Sequence, residues 1–179
     1  MKPNTADQRY LATLLGQLGI DPDEISRRAL PLYRQARRLA PVGLGTDHRD
    51  KVLTPRAAQA WLKMREAAAA DGVVLSVVSA FRSYDYQALL IRQKLERGRT
   101  LAEILAVNAP PGCSEHHTGR ALDIGTPGCP PVDEVFEQTE AYAWLRKHAG
   151  DCGFSLSYPR GNPHGYVYEP WHWRFGHEA

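Results

Sequence analysis

The chain has 179 residues, 43% apolar and 23% charged, an ordinary globular balance that suits one domain around one sizeable core. A formal net charge of +2 with no Lys/Arg-rich run argues against nucleic acid or heparin as a partner. The longest apolar stretches fall far short of the roughly 20 residues a bilayer helix needs, so no membrane span is expected.

The first fifty residues read as short helices that form an extension packed on the core. Leu11, Leu14, Leu15 and Leu18 share one helix face. Thr13 and Gln17 interrupt them and no small-residue cleavage site follows, so they do not read as a signal peptide. The protein is expected in the cytoplasm, or in the periplasm where a leader has been removed. Asp21-Pro22-Asp23-Glu24 is a helix start, with a capping aspartate, proline at the first helical position and Glu three residues after the cap. The Arg-rich stretch from Leu32 to Leu39 is either another short helix or a turn.

Residues 51–179 form the core. Thr54-Pro55 opens a helix to about Ala70, with Ala57, Ala60, Trp61, Met64 and Ala68 along one face, and Asp71-Gly72 ends it. Val73 to Ser79 is β-branched and apolar, the signature of a buried strand. Tyr84 to Arg97 is helical in pattern, and Thr100 can cap a further short helix. Residues 109–114 and 126–131 are Pro- and Gly-rich loops around a strand at Arg120 to Ile124. Thr139 starts a helix to about Ala149. Phe154 to Ser157 and Tyr166 to Tyr168 read as two strands joined by the turn 158–165, and Trp171 to Phe175 as the last strand. Helices followed by a late cluster of short strands indicate α+β with an antiparallel sheet.

Cys113, Cys129 and Cys152 give an odd count with no CxxC pair, which argues against a thiolate metal site. They read as small core residues or as one optional disulfide. A Cys113–Cys129 bridge would brace the segment between them in an oxidising compartment.

That segment holds the densest chemistry. His116 and Asp123 lie seven apart around a glycine-containing turn, and Gly119 would let the chain fold back so that both reach one ion. Glu169-Pro170-Trp171-His172 offers a third ligand in His172. Glu169 is then placed to act on water at the open position of a three-ligand zinc site. Pro170 argues against a helix, so this pair sits at a strand end. Arg82 follows the strand Val73 to Val78 and can project into a cleft, toward an oxyanion or a substrate carboxylate. His48, His117, His148 and His177 read as ordinary surface or core residues, and His164 as a turn residue able to contact substrate. Trp171 and Trp173 read as core aromatics or, if exposed, as a wall on which a peptide stacks.

Ser114-x-His116-x-Thr118-Gly119-x-Ala121-x-Asp123, followed by Glu169-Pro170-Trp171-His172, resembles the zinc D-alanyl-D-alanine carboxypeptidases of the VanY type. Their wider group includes the VanX dipeptidases and bacterial L,D-carboxypeptidases. Ser79-Ala80-Phe81-Arg82-Ser83-Tyr84-Asp85-Tyr86-Gln87 and Phe154-Ser155-Leu156-Ser157-Tyr158-Pro159 extend the resemblance over roughly residues 52–176. It implies a Hedgehog/DD-peptidase-like fold, with a small antiparallel sheet carrying the zinc site and flanked by helices. It further implies one Zn2+ per chain on His116, Asp123 and His172, Glu169 as general base and acid, and Arg82 as oxyanion stabiliser. Ser114, Gln87, Trp171 and Tyr158 become substrate-pocket residues.

The implied reaction is removal of C-terminal D-alanine from peptidoglycan stem peptides by a monomer. Members often carry Arg where Ser157 stands, a residue able to hold the substrate carboxylate. The alternatives are an L,D-carboxypeptidase acting on tetrapeptides, a wall-peptide endopeptidase and a non-catalytic peptidoglycan-binding module. Binding alone would not need Glu169, which argues against the module. Two histidines and a carboxylate also suit other divalent metals.

Overall fold

The computed structural model describes residues 3–176; His177 lies outside them. Six α-helices and six strands are present among these residues, the strands in two antiparallel sheets.

Helix α1 (Thr5–Gln17) is closed by a capping box between Asn4 and Asp7. Its leucines 11, 14 and 15, with Leu18 and Ile20, bury against Tyr84, Ala88, Ile91, Ile104 and Leu105. Helix α2 (Pro22–Arg27) starts as its sequence requires, the Asp21 carboxylate accepting from the Asp23 amide at 2.9 Å. Residues 30–39 are neither helix nor a simple turn but an irregular extended strap. The strap is tied down from outside: the Tyr33 amide donates to Gly112 at 2.7 Å and the Ala36 amide to His117 at 2.8 Å.

The expectation of helices throughout the first fifty residues is corrected by a hairpin, β1 (Ala40–Leu44) with β2 (Asp50–Leu53). Pro41 and Gly43 mask it in the sequence, and the strands face the interior only through Val42 and Leu53.

Helix α3 (Pro55–Ala70) lies under the main sheet, with Trp61, Met64 and Ala68 fully buried. That sheet has the order β3-β4-β6-β5, from β3 (Ser76–Ser79), β4 (Ala121–Gly125), β5 (Phe154–Leu156) and β6 (His172–Phe175). Alternation divides its residues. Val77, Leu122, Ile124 and Trp173 join α3 and α6 (Glu140–His148) in the largest apolar cluster. Asp123 and His172 face the other way.

Helices α4 (Tyr84–Glu96) and α5 (Leu101–Val107) close that other side, capped by Ser83 and by a Thr100–Glu103 box. Tyr166 to Tyr168 is not a strand. Asn162 holds both backbone groups of Tyr166 through its side chain, and the Val167 amide donates to Ala106, so β5 pairs directly with β6.

Candidate metal centre and catalytic cleft

Three short segments converge at one end of the sheet. His116 lies on a 3₁₀ turn, Glu115–Thr118, which ends at Gly119 with φ +63°. A Cβ there would sit 3.1 Å from Leu39 and 3.2 Å from Ala36 and Thr54, so a glycine is needed for both conformation and space. The chain then enters β4, where Asp123 stands opposite His172 of β6. His116 Nε2 lies 3.3 Å from Asp123 Oδ2, and His172 Nδ1 lies 3.0 Å from Asp123 Oδ1.

The fit to a metal ion is close. One ligand atom from each of His116, Asp123 and His172 falls within 4.8 Å of the others. Bonds of ~2.0–2.1 Å in a tetrahedron put neighbouring ligand atoms roughly 3.3 Å apart, which these separations approach. His116 Nδ1–H donates to the Ala80 carbonyl at 2.6 Å, so its lone pair is on Nε2, and this buried atom has no hydrogen-bond partner. His172 is held through the opposite nitrogen, with Nε2–H donating to Glu115 Oε2 at 3.0 Å and Nδ1 turned to the ligand cluster. Outer partners of this kind fix the ring orientation of a ligand histidine.

Sequence reasoning passed over Glu115. Its carboxylate accepts from His172, from Ser157 Oγ at 2.6 Å, from Arg174 Nη1 at 2.9 Å and from the Tyr33 hydroxyl at 3.3 Å. Those partners come from three separate stretches of chain, residue 33, residue 157 and strand β6, so no local motif could reveal the role. Burial works against its charge, but His172, Arg174 and Ser157 outweigh burial and hold it down to about 2. His172 is bracketed by two carboxylates. Burial disfavours its charge, yet the bonds to Asp123 and Glu115 raise it to about 10. Asp123 is likewise held well below its ordinary value by the two rings, against the pull of burial. His116 is lowered to about 4 by burial and by the nearby Arg82 guanidinium.

Glu169 sits beside this group, its carboxylate 3.7 Å from His172 Nδ1 and its amide bonded to the Tyr158 carbonyl at 3.1 Å. Burial raises it to about 7, with Asp123 adding to the effect and His172 opposing it. A carboxylate poised there can take and return a proton near neutrality. Arg82 Nη2 lies 3.3 Å from Asp123 Oδ2, and Nη1 donates to Gln87 Oε1 at 3.1 Å. Gln87, almost fully buried, is anchored in turn by donating to Ala109 at 2.8 Å.

A cleft of about 710 Å³ runs past Arg82, Glu169 and Trp171. It adjoins a small space of about 30 Å³ at the His116 and His172 rings, walled also by Arg82, Gln87, Asn108, Ser114, Tyr158 and Glu169. The Tyr158 ring lies 4.7 Å from that of His172. Trp171 is mostly buried, edging the cleft rather than offering an open stacking face, and Trp173 is a core residue.

The other histidines separate cleanly. His117, next to a candidate ligand, is a core residue: Nδ1–H donates to the Arg82 carbonyl at 2.7 Å and Nε2 accepts from the Gly112 amide at 3.1 Å. Burial lowers it to about 3, so it stays neutral. His164 does not line the cleft; its carbonyl accepts from Arg28. All three cysteines are free thiols, with Cys113 buried beside Leu30, Tyr158 and Tyr166.

Residues 50–178 match the VanY family, D-alanyl-D-alanine carboxypeptidase. YodJ of Bacillus subtilis (strain 168) is 35% identical over 130 residues, covering 70% of this chain and 46% of its own. Among solved structures, the LdcB LD-carboxypeptidase superposes with a TM-score of 0.70 at 30% identity, over 79% of this chain and 69% of that one. A variant of the vancomycin-resistance D,D-pentapeptidase VanY, in complex with Zn(II), gives 0.62 at 26% identity over 81% and 82%. The chain thus spans less than half the length of YodJ. The sequence match and the shared fold agree: the chain belongs to the VanY family of D-alanyl-D-alanine carboxypeptidases.

Proposed function

We propose that the chain is a zinc-dependent carboxypeptidase that removes C-terminal D-alanine from peptidoglycan stem peptides. The observation that carries this reading is Glu169, a buried carboxylate held beside the buried His–Asp–His set, with Glu169 and Asp123 both lining the cleft. His116, Asp123 and His172 would hold the ion. Zinc seated there would supply Lewis acidity to the scissile carbonyl and to an attacking water.

The chain's own residues do the rest. Glu169 takes the proton of the water and hands it to the leaving amine. Arg82, fixed by Asp123 and Gln87, faces the oxygen on which charge develops, and its buried Nε–H has no partner among the described residues. Ser114, Gln87 and Tyr158 wall a space of about 30 Å³, room for a group the size of a methyl. The same space is bounded by His116, His172 and Glu169, so a small terminal residue would lie beside the ligand set, and Trp171 edges the approach. The protein acts as a monomer, which sedimentation would test.

A second reading, L,D-carboxypeptidase action on tetrapeptides, is favoured by the likeness to LdcB and by Ser157, whose hydroxyl is spent on Glu115. A matched assay separates the two. Chelator-sensitive release of D-alanine from a pentapeptide ending in D-Ala-D-Ala is expected. Release from the tetrapeptide alone would move the chain to the L,D class, and release from neither would sink the carboxypeptidase reading.

A further inference from the structure

A carboxypeptidase must recognise a free terminal carboxylate close to the bond it cuts, and a paired set of charged and neutral donors does this best. The cations of the cleft differ in what they already hold. Arg82 is committed to Asp123 and Gln87. Lys51 is bridged to Asp47 at 2.8 Å. Arg49 is exposed at the outer end. Ser157 donates to Glu115 and does not line the cleft.

Lys94 is different. It lines the cleft, it is partly buried, and among the described residues no carboxylate lies within ion-pair distance of its ammonium. Its hydrogen bond goes to the side-chain oxygen of Asn108. That bond orients Asn108, which lines both the cleft and the small space beside Glu169 and His172, and it leaves the Asn108 side-chain N–H donors free to face a ligand.

Helix geometry supports the placement. Lys94 is seven residues after Gln87 on α4, two turns along one face and roughly 10 Å up the axis. Helical side chains lean toward the N-terminus, so Lys94 leans back toward Gln87 and Arg82. Burial and the neighbouring arginines 99 and 82 disfavour its charge while Glu169 supports it.

We propose that Lys94 and Asn108 form the subsite that receives the C-terminal carboxylate of the substrate, the Lys94 ammonium and the Asn108 amide each taking one oxygen. This rests on the carboxypeptidase reading but is tested apart from it, by binding. Titration calorimetry compares N-acetyl-D-Ala-D-Ala with its C-terminal amide on zinc-loaded Glu169→Ala protein, in which turnover is suppressed, with Lys94 intact and combined with Lys94→Met or Lys94→Arg.

With Lys94 intact the acid is expected to bind more tightly than the amide. Lys94→Met should weaken acid binding roughly 10–100-fold and leave the amide nearly unchanged, with Lys94→Arg recovering most of the preference. Asn108→Ala supplies a second variant should Lys94→Met fail to fold, with a smaller loss confined to the acid. Unchanged acid affinity in either folded variant, or no preference for acid over amide with Lys94 intact, overturns the subsite. In the parallel turnover assay a rise in KM with kcat nearly held is expected for Lys94→Met. Absence of wild-type turnover alongside a Lys94-dependent acid preference would sink the hydrolase reading and leave the subsite standing.

Discussion

The metal-bearing end of the sheet and the N-terminal strap meet across the loop 109–119, and they stabilise it by opposite means. At the sheet end Glu115, His116, His117, Asp123, Glu169 and His172 are all buried polar groups that converge on one another or on backbone. The N-terminal side buries Leu11, Leu14, Leu15, Leu18 and Ile20 on α4 and α5, with two backbone bonds and the Tyr33 hydroxyl as its polar contribution to the site. Desolvated charges are tolerable where partners converge from several strands. Apolar burial then holds the loop in place without specifying chemistry. Substitutions on the two sides should therefore fail in different ways.

The largest expected effect is at Glu169. Glu169→Ala should lower kcat roughly 10²–10⁴-fold with the zinc-to-protein ratio unchanged. Near-normal turnover in that variant would remove Glu169 from the mechanism. Leu11→Ala, on the strap side, should cost about 2–5 kcal/mol of stability by thermal or denaturant unfolding, while kcat per folded molecule holds within a few-fold. A kcat loss as deep as that of Glu169→Ala would break the division between chemistry and support.

The adjacent histidines sharpen it further. His117→Ala strands the Gly112 amide and the Arg82 carbonyl and should cost about 1–3 kcal/mol while zinc still binds. His116→Ala should reverse the pattern, losing zinc affinity in a chelator competition. The smallest effect is in pH. Glu169 accepts a proton only as carboxylate, and its pKa is raised to about 7. As pH falls through that value kcat/KM should drop about tenfold per unit. A bound cation favours the carboxylate and sets the midpoint at or below 7. An acid limb that persists in Glu169→Ala would belong to another group.

Much of this was legible in the sequence where the signal is local. Asp21-Pro22, Thr54-Pro55, Thr100 and Thr139 each mark a helix start because a cap or a proline acts within one turn. His116, Asp123 and His172 announce themselves by residue type and spacing, and the turn at Gly119 by its need for positive φ. The hairpin β1–β2 escaped because Pro41 and Gly43 hide its alternation and it presents few apolar residues inward. Tyr166 to Tyr168 has strand composition, but Asn162 and Ala106 take its backbone groups. Glu115 and Lys94 could not be read at all, since their meaning lies in what stands opposite them after folding.

The sheet register carries a consequence for how this chain can vary. Asp123 is paired across β3 with Ser79 and across β6 with His172, so ligand and neighbours lie in one rank across three strands. Because side chains alternate, the loss or gain of one residue within β4 or β6 would turn the ligand toward α3 and a core apolar residue toward the ion. Insertions and deletions are therefore expected to be tolerated in connecting stretches such as 126–138 rather than within these strands, where substitution keeps the register. In this molecule strand length is a stricter inheritance than most of its letters.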